Sequence, residues 1–240
     1  MAMVAVAVCC TSCVKMSLGN LKKLAPSDNI VKNEYKMEAF SKVDIDVVAK
    51  VKFVQGVGDD NRVLMRCPDN YVDLFEFKTE GDELKVGFAG NRHASIDAND
   101  VAIIIYAPAL SKIDSEGVAS ICIDSLTTPS LEIDNEGVGS IIIKKLETSF
   151  LSVESSGVGN IELRGKALKA AYECDGVGSI NAELLEADDV KAEVNGVGSI
   201  TCFARQRLKG EVNGIGSLKY GGHPEEKHLE RNGVGSFSEI

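Results

Sequence analysis

Seven acidic residues recur at intervals of 18 to 20 through the second half of the chain: Asp114, Asp134, Glu154, Glu173, Glu193, Glu211 and Glu230. A row of carboxylate oxygens is the donor set that Ca²⁺ takes. It is equally the kind of solvated face that keeps a sheet soluble and discourages sideways association. The second reading is favoured, because charge runs usually serve solvation. A weak Ca²⁺ site is the chemical alternative, and no other cofactor is expected. Two residues before four of these acids stand Lys112, Lys191, Lys209 and His228, placed to neutralise part of the charge. Two residues after the acids and directly before a glycine stand Glu116, Glu136 and Asp175, a position that turns to Asn195, Asn213 and Asn232 in later coils.

Other chemistry is sparse. His223 and His228 bracket Glu225 and Glu226, but the spacing is not the i, i+4 of a helical zinc motif and Pro224 opposes a helix there. His93 stands alone in a loop-like stretch. Asp59-Asp60 and Asp188-Asp189 read as turn residues. A glycan-cleaving enzyme needs a distinct pair of carboxyl groups, whereas this chain offers a regular ladder of acids. No catalytic residue is assigned.

The elements that would position the acids follow from the motif they precede. Gly-Val-Gly-Ser-Ile begins at Gly137, Gly176 and Gly196, with variants at Gly117, Gly157, Gly214 and Gly233. The glycines of this repeat are Gly117, Gly137, Gly139, Gly157, Gly159, Gly176, Gly178, Gly196, Gly198, Gly214, Gly216, Gly233 and Gly235. A period of ~20 residues marks a solenoid. Alternating runs precede the motif (Leu131 to Asn135, Leu151 to Ser155, Val190 to Val194) and apolar runs follow it (Ser120 to Ile123, Ser140 to Ile143). Short strands joined by corners fit an all-β parallel β-helix whose coils pair at roughly 4.8 Å. Ile141, Ile161, Ile180 and Ile200 are expected to stack inward, and so are Val138, Val158, Val177 and Val197. The acids alternate with the inward residues and form an outward column. The paired glycines belong at a corner that needs φ > 0 or close backbone approach. A phosphate-cradling role is set aside, because that use needs a helix after the glycines and here strands flank both sides.

Composition agrees. Aromatic residues make up 5% of the 240, tryptophan is absent and glycine numbers 23, which suits a thin core of Val, Ile, Leu and Ala. A formal charge of -10 argues against nucleic acid and against a basic membrane-surface patch. Of seven cysteines, Cys9, Cys10 and Cys13 crowd the N-terminus, and Cys67, Cys122, Cys174 and Cys202 show no C-x-x-C spacing. Cys122 and Cys202 fall four coils apart, roughly 19 Å by coil rise, too far to bridge. Neither a disulfide framework nor a zinc site is expected.

Taken in order, residues 1–13 (MAMVAVAVCCTSC) read as the apolar part of an export signal ending in a lipobox-like Thr11-Ser12-Cys13, with Cys13 the lipidated residue. Residues 14–34 are polar and read as a tether. Residues 35–107 are strand-rich without the motif and read as atypical coils that cap the open core. Within them Gly56 to Asp60 and Thr79 to Glu83 are expected turns, Tyr71 to Phe77 a strand, and Val101 to Tyr106 a strand buried along its length. Residues 108–240 carry the repeat, with a loop expected over Tyr220 to His228.

The entry Glu38-Ala-Phe-Ser-Lys-Val-Asp-Ile45, the run Val51-Lys-Phe-Val-Gln-Gly56, the serial GVGS motifs and the closing Leu218-Lys-Tyr-Gly-Gly-His-Pro224 together resemble the head GIN domain family, auto-transporter adhesins of Gram-negative bacteria by their family description. The resemblance covers about residues 35–240. It implies a right-handed parallel β-helix on an exported, often lipid-anchored protein, and it supplies no catalytic residues. The expectation is a non-enzymatic module at the outer membrane or cell surface, held to the membrane by a lipid anchor and binding a glycan or a protein. A periplasm-facing envelope scaffold is the alternative, and a carbohydrate-active enzyme stands third. Nucleic acid is not an expected partner, and the sequence does not define an oligomeric state.

Overall fold

The computed structural model describes residues 24–91 and 95–240. Cys13, with the rest of the expected export signal, and His93 lie outside the described residues. The described chain is an all-β solenoid of about six turns, each of about 20 residues.

The repeat region is a continuous parallel stack. β8 (Lys112–Ser115) and β9 (Val118–Ile123) form one rung, followed by β10 (Leu126–Asn135), β11 (Val138–Ser155), β12 (Val158–Cys174), β13 (Val177–Val194), β14 (Ser199–Val212), β15 (Ser217–Gly221), β16 (Glu226–Arg231) and β17 (Ser236–Glu239). Each coil hydrogen-bonds to the next in register, so that Ile121, Ile141, Ile161, Ile180, Ile200 and Leu218 lie directly over one another. All six are at most 2% exposed, which makes this row the spine of the core. A second inward row runs through Ile133, Val153, Tyr172, Ala192 and Gly210. Here the large Tyr172 ring is accommodated by the small residues of the two following coils, as close packing requires.

The expected inward stacking of Val138, Val158, Val177 and Val197 does not occur: these residues are 51–55% exposed. Strand parity is the reason. Each stands three residues before its buried isoleucine, and an odd offset places a side chain on the opposite face. Val118, Ile215 and Val234 continue the exposed row, giving one branched aliphatic side chain in the open per coil.

The glycines flanking these valines serve close approach. A Cβ on Gly159 would lie 1.9 Å from the carbonyl oxygen of Gly139, and one on Gly137 would lie 2.2 Å from that of Gly117. Side chains at these positions would push successive coils apart at the corner.

The first rung lies earlier than the glycine motif indicates. β2 (Lys42–Ile45) and β3 (Val48–Gln55) run parallel to β8 and β9, with Asp44 opposite Asp114 and Val51 opposite Ile121. Residues 56–111 leave this rung and return to cover its other side. β6 (Glu83–Phe88) lies beside β2, and β7 (Ala102–Ala107) lies beside β3. β5 (Phe75–Glu80) makes an antiparallel hairpin with β6, while β4 (Arg62–Pro68) pairs antiparallel with β7. A turn of parallel coil thus gives way to antiparallel strands at this end. The expected turns stand at Asp59 and at Gly81-Asp82, with Gly58 at φ 68° and Gly81 at φ 66°.

Five further expectations need correction. The tether does not extend to residue 34. β1 (Ile30–Lys36) pairs with β4 over seven residues, and ahead of it the Leu24 amide donates to the Ser95 carbonyl while the Tyr71 hydroxyl donates to the Leu24 carbonyl. Polar side chains on β1 masked this, because only one face of that strand is covered. Residues 69–74 form a short 3-10 helix ahead of β5. β7 is buried on alternate residues only, since its outer face lacks a covering layer. Asp188 and Asp189 lie within β13, and the loop expected over residues 220–228 is confined to 222–225, with Lys227 and His228 in β16.

Candidate functional site

The seven acids form a physical column. Register pairs Asp114 with Asp134, Asp134 with Glu154, Glu154 with Glu173, Glu173 with Glu193, Glu193 with Glu211, and Glu211 with Glu230. Asp44 extends it by one rung beyond Asp114. The strands dictate this arrangement: Ile133, Val153, Tyr172 and Ala192 occupy the core one residue before each acid, so the carboxylates point outward.

Counter-charges sit beside the column. Lys112 Nζ reaches Asp134 at 2.8 Å, Glu132 at 3.0 Å and Asp114 at 3.2 Å. Lys191 pairs with Glu193 and Lys209 with Glu211, each at 2.7 Å, and His228 Nε2 lies 2.6 Å from Glu230. Asn195 donates to Asp175 at 2.8 Å and to Glu173 at 3.1 Å. From there the asparagines form their own ladder: Asn213 donates to Asn195 at 2.8 Å and Asn232 to Asn213 at 3.0 Å.

The local fields differ along the column. Burial pushes the Asp114 carboxyl up to about 6 against the pull of Lys112, with the neighbouring Asp134 acting in the same direction as burial. Lys112 itself is held more firmly in its charged form, first by Asp134 and then by Glu132. Glu173 is raised by burial and then by Asp175, Glu193 and Glu154, while the hydrogen bond from Lys209 lowers Glu211. Among the described residues, no three or more His, Cys, Asp or Glu side chains converge in a way that would hold a metal ion. His223 and His228 have separate partners, with His223 Nδ1 2.9 Å from Glu239.

Beside the column, on the same outer face, lies a groove of about 640 Å³ across β11, β12, β13, β14 and β16. One of its walls is a row with a single residue from each coil: Phe150, Lys169, Asp189, Arg207 and Glu226. The opposite wall is the row of Ala171, Lys191, Lys209 and His228. Phe150 is 55% exposed, an unusual position for a phenylalanine on a chain with so few aromatic residues. Asp189 accepts a 2.5 Å hydrogen bond from Arg207 through Oδ2, while its Oδ1 is buried away from the groove surface without a hydrogen-bond partner among the described residues.

The row through Phe150 and Arg207 escaped sequence reading for a definite reason. Register shifts between Glu162 and Arg164, between Ala182 and Glu186, and between Ala187 and Asp189 break the fixed offset from the glycine motif. The acids are counted from the motif across an unbroken stretch, so their column is visible without coordinates.

Four described cysteines, Cys67, Cys122, Cys174 and Cys202, are free thiols. Burial pushes Cys202 up to about 12. No helix among the described residues is long and apolar enough to cross a membrane.

Comparison with known proteins agrees with this architecture. Residues 39–224 match the family described as "Putative auto-transporter adhesin, head GIN domain". A solved structure described as a putative adhesin from Bacteroides fragilis superposes with a TM-score of 0.86 at 34% identity, covering 90% of this chain and 99% of that one. A putative lipid binding protein from Parabacteroides distasonis (TM-score 0.70, 21% identity, 91% and 100% coverage) has the same fold. So does a putative adhesin from Parabacteroides merdae (0.67, 19%, 90% and 98%). No curated protein matches the sequence. The solenoid, the serial corner motif and the span of the family match together place this chain in the head GIN domain family, described as "Putative auto-transporter adhesin, head GIN domain".

Proposed function

We propose that the protein is an exported, surface-displayed solenoid that holds a glycan or protein ligand on its outer sheet face without transforming it. The groove across β11–β14 and β16 carries this reading. Its volume of about 640 Å³ is within the range of ligand sites, it is built on rigid paired strands, and it combines an exposed ring with polar groups on two rows. Membership in an adhesin-type family supports the same reading. Lipidation at Cys13 would place the body at the membrane, with the segment up to about residue 23 as spacer. A weak Ca²⁺ interaction along the acidic column belongs to this proposal too, and a rise in melting temperature at millimolar Ca²⁺ would support it.

Protease shaving of intact cells tests the display. Digestion of this protein while a periplasmic control survives supports outward exposure. Protection until the outer membrane is opened overturns it and favours an envelope scaffold. Replacing Cys13 by serine is expected to shift the protein from the membrane to the soluble fraction.

A further inference from the structure

The groove carries an inference about its ligand that rests on the reading above. We infer that it is a saccharide site for a chain of carboxylated sugars, with one ring seated on Phe150 and the carboxylate of a neighbouring unit held by Lys169.

Three observations lead there. The first is charge. The chain carries a formal charge of -10, yet Lys169, Lys191, Arg207, Lys209 and Lys227 line the groove against only Asp189 and Glu226. Most of these cations are already engaged: Lys191 and Lys209 with the glutamates of the acidic column at 2.7 Å, Arg207 with Asp189 at 2.5 Å, and Lys227 with Tyr220 at 3.1 Å. Lys169 makes no ion pair among the described residues. An anionic ligand therefore has one cation whose capture breaks no existing pair, and the glutamates of the column set a repulsive limit on the far side.

The second observation is the ring. Phe150 stands one coil from Lys169 in the same row, half exposed. An exposed aromatic face is a platform for the C–H face of a pyranose, and it has the amphipathic logic by which aromatic side chains anchor interfaces. Across the groove the opposite wall begins with the small Ala171 side chain.

The third is spacing. Groups in this row repeat once per coil, at the roughly 4.8 Å separation of paired strands, which is close to the length of one sugar unit in an extended polysaccharide. Stacking at Phe150 and anion capture at Lys169 thus fall on consecutive units.

The test is titration calorimetry of the full chain, in chelator, with oligomers of polygalacturonate, polymannuronate and polyglucuronate. Each is paired with its carboxyl-reduced neutral form. Binding of at least one acidic oligomer is expected. It should weaken by about tenfold or more on carboxyl reduction, in Lys169→Gln and in Phe150→Ala, as loss of a central contact does, while thermal melts of both variants stay near wild type. Equal affinity for acidic and neutral forms, or unchanged affinity in Lys169→Gln, overturns the inference. So does binding of none of the oligomers. Recognition of a neutral glycan or a protein instead would overturn it while leaving the surface-ligand reading intact, which shaving tests separately.

Discussion

Ile161 and Val158 are three residues apart and similar in chemistry, yet one is 1% exposed and the other 51%. Ile161→Ala is expected to cost about 2–5 kcal/mol, because it opens a cavity in the stacked row. Val158→Ser should change stability by about 0.5 kcal/mol or less, as exposed substitutions do. Urea unfolding of the two variants checks both values. Asp114 offers a second residue-level test. Its carboxyl binds a proton more readily folded, at about 6, than at the ordinary 3.8. Between these values the folded state carries more protons than the unfolded chain, so this group's contribution to stability falls as pH rises through the window. Asp114→Asn removes that dependence. The variant's stability relative to wild type should improve by about 1 kcal/mol from pH 4 to pH 7, after allowance for solvent screening. An unchanged difference between the two pH values would show that Asp114 titrates normally.

Stacking at the level of the coil explains what could be read without coordinates. The Ile row and the acid column stand at constant offsets from the glycine motif across unbroken strand, so counting locates both. The expected inward placement of Val138 fails because parity counted from the buried Ile141 turns the valine out. The rung at β2 and β3 lacks glycines, but Lys42-Val-Asp-Ile aligns with Lys112-Ile-Asp-Ser, and that likeness was the available signal. The groove was not legible, since register shifts between the glycine motif and these rows break the counting offset. Glycine variants separate the two demands on the corner and the turns. Gly159→Ala should cost about 3 kcal/mol or more, because its Cβ would meet a carbonyl oxygen at 1.9 Å. Gly58→Ala, with φ 68° and open space around it, should cost about 1–2 kcal/mol for the left-handed backbone alone. Thermal melts that rank the two in the opposite order would refute the close-approach account.

Across the whole molecule, the two ends are built differently. The N-terminal end closes with β1, β4 and β7, antiparallel strands that take the chain out of the coil pattern. The C-terminal end finishes on β16 and β17, which follow the pattern of the preceding coils but are largely exposed. Stability in such a stack accumulates through nearest neighbours. Hydrogen exchange should therefore be fastest over residues 226–239 and slowest over the central Ile rows. Uniform protection from Gly137 to Glu239 would argue instead for a single cooperative block.

Because each coil lies on the last with its corner motif in register, the natural unit of insertion and deletion is a full turn. Excising residues 157–175 would join Ser156 to Gly176, another motif glycine, and bring Glu154 next to Glu193 in the same column. A shortened protein of that kind should fold, with every row intact and one step fewer. Excising about half as many residues would set strands against corners and should leave an aggregating product. Gene duplications at this period would lengthen the body without redesigning it, so the length of the solenoid would change through evolution in whole-turn increments while the corner chemistry stayed constant.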